Sequence, residues 1–309
     1  MKILLTFPGQ GPQVPGMLHH LPDNDETRGL LERATAILGE PVLDWDSAEA
    51  LQSTRAVQVC LYIAGVAYAR QVRQAGIRAD FVSGLSIGAF PAAVSAGALG
   101  FDDGLRLVAL RGELMERAYP DGYGLSAVTG LLQRPLEQII AQVHRPDNPV
   151  YLANLNAEDQ FVIAGSERAM AQVCVLAREQ GAGRTQRLAV AVPSHCELLR
   201  QPATALAAAM AKVSLRRPDI AYLSGSTGRV LWQPERIADD LAMNMARPVH
   251  WQDAMVSAYE RDVRLAIEMP PGAVLTGLTK RVMEQGEAIA LGQHPLELII
   301  ALAGRLSRR

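Results

Sequence analysis

The residues FVSGLSIGAFPAAVSAG, 81–97, pass from an apolar strand-like segment into an apolar helix-like one through a turn with glycines at 84 and 88. A chain that passes straight from strand to helix leaves the sheet at the strand's carboxyl end and lays the helix on a sheet face, the unit from which parallel, doubly wound sheets are built. The chain begins the same way, with ILLTF before the loop FPGQGPQVPG. Helical periodicity follows in TRGLLERATAILG, in VQVCLYIAGVAYARQVRQAG and in FDDGLRLVALRGELMERAY. Pro91 lies too far into its helical pattern for an early start, so a kink or a delayed helix start is predicted.

Between residues 124 and 191 the pattern changes to strand GLSAVTGL, helix RPLEQIIAQVH, strands VYLANLN and QFVIAGS, helix ERAMAQVCVLAREQG and strand TQRLAVAV. That βαββαβ order is ferredoxin-like. The predicted fold class is α/β: a large domain with a parallel sheet, resembling the α/β-hydrolases, from 1–123 and 192–309, with a ferredoxin-like subdomain inserted at 124–191. With 49% hydrophobic residues the chain can bury a large core. Its net charge of −2 argues against nucleic-acid or membrane-surface partners bound by bulk positive charge. Cys60, Cys174 and Cys196 are widely spaced, which suggests neither a disulfide framework nor a metal site and fits a reducing cytoplasm. MKILLTF is too short for a secretory segment, so a soluble, unprocessed protein is expected.

The turn also spells G-x-S-x-G, Gly84 to Gly88. After a strand and before a helix, such glycines allow the sharp turn that lifts a serine oxygen clear of the backbone, which makes Ser86 a candidate nucleophile. A merely structural turn satisfies the same residues. A serine hydroxyl needs a base, and of six histidines His195, in AVAVPSHCELL, stands at the seam where the inserted segment rejoins the larger one. No carboxylate is near it in sequence except Glu197, so the pattern predicts a Ser–His dyad whose imidazole is oriented by a carbonyl. For the oxyanion the candidates are the Ile87 N–H, next after the nucleophile, and Gln10, because loops at the carboxyl ends of parallel strands converge.

FPGQGPQ, GLSIGAF, LRGELM, VPSHCELL, and RPVHW followed by PPGAVLTGLTKRV resemble, in order and across nearly the whole chain, the malonyl-CoA:acyl carrier protein transacylases. The resemblance implies an acyl-enzyme on Ser86, His195 as its base, Gln10 and the Ile87 N–H at the oxyanion hole, and Arg111 as partner of the substrate carboxylate. A guanidinium fork suits that role, since malonyl differs from acetyl by a carboxylate that is costly to bury unpaired. The competing reading of Arg111 is a surface residue paired with Glu113 or Glu116. His250, where the family commonly has glutamine or arginine, is a possible support of the base. The family's elbow usually reads G-H-S-x-G-E, whereas here Leu85 and Ala89 stand at the histidine and acid positions. In this GLSIGAF is similar to the epsilon subunit of malonate decarboxylase, which implies transfer from malonyl-CoA to that system's carrier protein, alongside its other subunits. The family implies no tightly bound cofactor and no metal; the acceptor thiol belongs to a prosthetic group on the carrier. Arg216, Arg217, Lys280 and Arg281 are candidate carrier contacts. A transacylase of fatty-acid or polyketide synthesis, a serine thioesterase or hydrolase, and a non-catalytic carrier-docking subunit are the alternatives.

Overall fold

The computed structural model describes residues 1–119 and 121–306. Among the described residues ten strands form two sheets: β1 (Lys2–Phe7), β2 (Phe81–Gly84), β3 (Tyr123–Thr129), β4 (Val150–Ala157), β5 (Gln160–Ser166), β6 (Arg184–Arg187), β7 (Ala221–Leu223), β8 (Val230–Leu231), β9 (Val263–Glu268) and β10 (Glu287–Ala290). The larger sheet runs β10-β9-β1-β2-β7-β8, parallel throughout except for β8, which pairs antiparallel to β7. β1 lies in its interior and is buried from Ile3 to Phe7. Ile3, Leu5 and Phe7 enter the main core on one face, and Leu4 enters a second cluster with Phe81, Ala266 and Trp251 on the other. Burial on both faces is why ILLTF is a continuous apolar run rather than an alternating one.

The smaller sheet runs β4-β5-β3-β6 and is antiparallel throughout. Helices Gln133–Val143 and Glu167–Glu179 cover one face through a core of Val128, Leu136, Ile139, Phe161 and Val173. Strand, helix, two strands, helix and strand in chain order, with the strands side by side as β4-β5-β3-β6, make it ferredoxin-like, so the predicted α/β class with a separate small antiparallel sheet holds. Its last strand is shorter than TQRLAVAV and stops at Arg187. The Arg187 guanidinium donates to the carbonyls of Tyr123 (2.7 Å), Leu125 (2.8 Å), Leu188 (3.2 Å) and Val190 (3.1 Å). The Leu188 N–H still reaches the Leu125 carbonyl (3.0 Å), but the Tyr123 carbonyl, which a continuing strand would pair, is taken by a side chain, and the chain turns away toward His195.

The small sheet is tied through the backbone to the connection that precedes the helix Trp251–Glu260. The Leu155 N–H donates to the Val249 carbonyl (2.8 Å), and the Val249 N–H donates to the Ala153 carbonyl (2.8 Å). Among the described residues no helix is long and apolar enough to cross a membrane.

Candidate active site

The site starts where β2 ends. A 3₁₀ turn, Ser86–Gly88, separates β2 from the α-helix Ala89–Ser95, so the helix start is delayed and Pro91 falls in its first turn, where an N–H has no helical partner. The Leu85 N–H donates to the Phe7 carbonyl (3.0 Å), which pins the turn to the end of β1. Ser86 itself has φ of 56°, the left-handed region that a side chain enters at a cost of about 1–3 kcal/mol. Gly88 makes the tight passage possible. A Cβ there would lie 2.1 Å from the Phe7 carbonyl oxygen and 2.8 Å from that of Pro8, both backbone atoms that cannot swing away. Gly88→Ala should therefore displace the elbow from β1; we expect a fall of more than about 4 °C in Tm, read by thermal denaturation.

His195 also has a positive φ, 66°, held by donation from its N–H to the Met245 carbonyl (2.7 Å). Its Nε2 lies 3.0 Å from Ser86 Oγ, while Nδ1 lies 2.8 Å from the Asn244 carbonyl and 3.3 Å from that of Arg247. Carbonyls only accept, so Nδ1 carries the proton and Nε2 presents its lone pair to the serine hydroxyl. Burial pushes the imidazole down to about 4, the Arg111 charge adds to the fall, and the two carbonyls oppose it. The free site thus holds the His195 imidazole unprotonated well below the ordinary histidine range. The acid limb of kcat/KM, which reports the free enzyme, should approach about pH 4; a limb at about 6.5 or above contradicts this geometry.

Arg111, on the helix Phe101–Ala118, is fully buried. Its Nη1 donates to Gln58 Oε1 (2.7 Å), and its Nη2 donates to Asn244 Oδ1 (3.0 Å) and to Ser86 Oγ (3.1 Å). Burial lowers its pKa to about 9, which leaves it charged at neutral pH. It is not a surface ion-pairing residue: Glu113 pairs with Arg117 (2.8 Å), and Glu116 accepts from Ser53 Oγ (3.0 Å). Nε is buried with no partner among the described residues, so the neutral groups around Arg111 leave its donors unsaturated.

The loop after β1 arrives beside the elbow, where a Cβ on Gly9 would sit 3.5 Å from that of Ser86; half-buried Gln10 is the next residue. Ile87 is buried, and its N–H belongs to the opening turn of the 3₁₀ segment. His250 does not have the supporting position entertained for it. Its Nδ1 faces Asp253 Oδ2 (3.1 Å) at the surface, and the base is held by the carbonyls of Asn244 and Arg247. Of the basic candidates, Arg281 pairs with Asp159 and Arg217 stacks 5.6 Å over Trp232.

Two members of the site went unread in the sequence. Gln58 is the polar residue within the buried run Ala56–Ala67 that meets Arg111. Asn244, in the 3₁₀ turn Asn244–Ala246, meets three of the site's residues: its carbonyl takes the His195 proton donor, Oδ1 takes Arg111, and Nδ2 donates to the Ser86 carbonyl (3.3 Å). Isolated polar residues in apolar surroundings were the available signal. Chemically, a hydroxyl between a neutral imidazole and a buried cation can form and transfer an ester of an anionic acyl group.

The acyl transferase domain family matches residues 5–302. The malonyl CoA-acyl carrier protein transacylase of Bacillus subtilis (strain 168) is 33% identical, covering 97% of this chain and 96% of its own. The solved malonyl CoA-acyl carrier protein transacylase of Coxiella burnetii superposes with a TM-score of 0.93 at 31% identity, covering 99% of this chain and 98% of its own. A malonyl-transacylase solved in complex with a type II PKS acyl-carrier protein superposes with a TM-score of 0.91 at 31% identity, over 98% of this chain and 100% of that one. Matched over nearly its whole length in sequence and in fold, the chain belongs to the acyl transferase domain family.

Proposed function

We propose that this protein moves malonyl from malonyl-CoA to the thiol of an acyl carrier protein through an ester on Ser86. The observation that carries the reading is one oxygen, Ser86 Oγ, lying 3.0 Å from a neutral imidazole nitrogen and 3.1 Å from a buried guanidinium. In the first half-reaction His195 Nε2 takes the hydroxyl proton as Oγ attacks the thioester carbon. The oxyanion is received by the Ile87 N–H and the Gln10 region, the C–S bond breaks, and CoA leaves with the proton from Nε2. In the second, the carrier thiol gives its proton to Nε2, its sulfur attacks the ester, and Ser86 recovers the proton. Arg111 pairs with the malonyl carboxylate through both halves. No tightly bound cofactor enters either half, and the acceptor thiol is the carrier's own prosthetic group. Residues 124–191, as an insert between 1–123 and 192–309, would form one wall of the cleft.

For the carrier, the relatives favour the general transacylase of fatty-acid or polyketide synthesis over the malonate decarboxylase branch, since those reported are named as transacylases and one was solved with a polyketide carrier. Leu85 also has a packing reason to be apolar, because its Cδ2 fills the place where a Cβ on Gly9 would be (2.7 Å). The test is to offer the malonyl-enzyme a fatty-acid carrier, a polyketide carrier and the decarboxylase carrier and compare kcat/KM. We expect a synthesis-type carrier to exceed the decarboxylase carrier by at least ~10-fold. The reverse order would restore the decarboxylase branch, and release of free malonate without any carrier would make the protein a hydrolase.

A further inference from the structure

A buried cation ordinarily has an anion beside it. Arg111 has none among the described residues. Its partners Gln58, Asn244 and Ser86 are neutral, and its Nε is unpartnered there. The same serine oxygen that accepts from Arg111 is the one the base must deprotonate, so cation and imidazole stand on either side of a single atom. If His195 takes that proton while the site holds no anion, two positive charges face each other in a buried place. If a carboxylate has entered first, the second charge is compensated.

We infer that Gln58 and Asn244, by holding Arg111 with neutral groups only, make the substrate's own carboxylate the countercharge that lets His195 act, so that acyl groups are selected in the acylation step. The inference rests on the malonyl reading of the site and adds a second task to Arg111 besides binding. A carboxylate that docks on the fork competes with Ser86 for Nη2, returns the hydroxyl to His195 alone, and makes the imidazolium easier to form. A neutral acyl group does none of these. Selectivity of this kind lies in an interaction that grows toward the transition state, and so acts on kcat as well as on KM.

The other groups around His195 leave this role to Arg111. Glu197 is exposed and held by Arg200, and burial keeps the Cys196 thiol neutral, pushed up to about 12. The segment 244–247 presents carbonyls, with the Arg247 guanidinium engaged by Asp239 and the buried Asp240 held by Tyr222 (2.7 Å) and Ser224 (2.6 Å). Burial and the Arg111 charge both depress the imidazole in the free site, which agrees with the geometry.

The experiment uses Ser86→Ala protein, which cannot be acylated, with ¹³C at the histidine Cε1 positions; the His195 signal is identified by its loss in a further His195→Gln variant. Its titration midpoint is followed by NMR in the free protein, with saturating malonyl-CoA and with saturating acetyl-CoA. Malonyl-CoA should raise the midpoint by about one pH unit or more, and acetyl-CoA should leave it in place. An unchanged midpoint with malonyl-CoA bound, or equal shifts with both thioesters, overturns the inference while leaving the transferase reading intact. Failure of malonyl-CoA to bind, or to label Ser86 of the unaltered enzyme, overturns both. Gln58→Glu builds the countercharge in. Its free midpoint should already be raised, and the acylation preference for malonyl over acetyl should fall at least ~10-fold. A folded Gln58→Glu protein with an unshifted midpoint also counts against the inference.

Discussion

Ser86→Ala should leave a folded protein that takes up no label from malonyl-CoA and turns over at least about 10⁴-fold more slowly than the unaltered enzyme. The loss is this large because the ester has no other place to form. Cys196, the thiol beside His195 in sequence, is buried and turned to the Pro193 carbonyl (3.2 Å), and burial keeps it protonated. Intact-protein mass spectrometry after mixing with malonyl-CoA reads the result directly. A malonyl adduct surviving on the Ser86→Ala protein would place the chemistry on another residue and remove the basis of the proposed mechanism. Removing the hydroxyl also relieves Arg111 of a partner, so the variant should bind malonyl-CoA no more weakly than the parent, and the damage should fall on kcat.

Arg111→Gln should lower kcat/KM for malonyl-CoA by about 10²–10³-fold, the cost of leaving a buried carboxylate without its charged partner. With acetyl-CoA the same change should cost little or bring a gain, since no carboxylate is abandoned and the charge that disfavours the imidazolium is gone. Acylation rates measured side by side with the two thioesters give the ratio, and equal losses with both would mean that Arg111 serves the fold alone. Stability measured on the same samples separates the two effects. The side chain is fully buried among Gln58, Asn244 and Ser86, so some loss of Tm accompanies any substitution.

What the sequence disclosed and what it hid divide along physical lines. Ser86 was legible because a strand-to-helix elbow needs glycines at fixed offsets, and the structure places backbone within 2.1 Å of where a Gly88 side chain would begin. β1 was legible because a strand buried on both faces has to be apolar throughout. Gln58 and Asn244 were hidden because their work is done across 53 and 133 residues of separation from Arg111, and a lone carboxamide in an apolar run does not name its partner. Orientation of His195 by a carbonyl was legible, because no carboxylate stands near it, but which residues supply it was not: the groups that hold Nδ1 are main-chain carbonyls, which any residue can offer, and the more conspicuous His250 is turned to Asp253. The end of β6 was misjudged because LAVAV has the composition of a strand, while the Arg187 guanidinium, from its own side chain, supplies the hydrogen bonds that end it. Leu85 and Ala89 suggested a branch of the family, yet Leu85 is accounted for by its contact with Gly9.

The ladder between Val249 and residues 153–155 has a consequence for anyone recombining such proteins. Val249 is two positions beyond Arg247, whose carbonyl shares the His195 proton, so the small sheet is spliced by main-chain bonds to the stretch that aims the base. A chimera cut at the apparent seams near residues 123 and 191 would import a foreign β4 against a native Val249. Such grafts should fail by misaiming an intact imidazole, and moving residues 244–249 together with the graft is the repair.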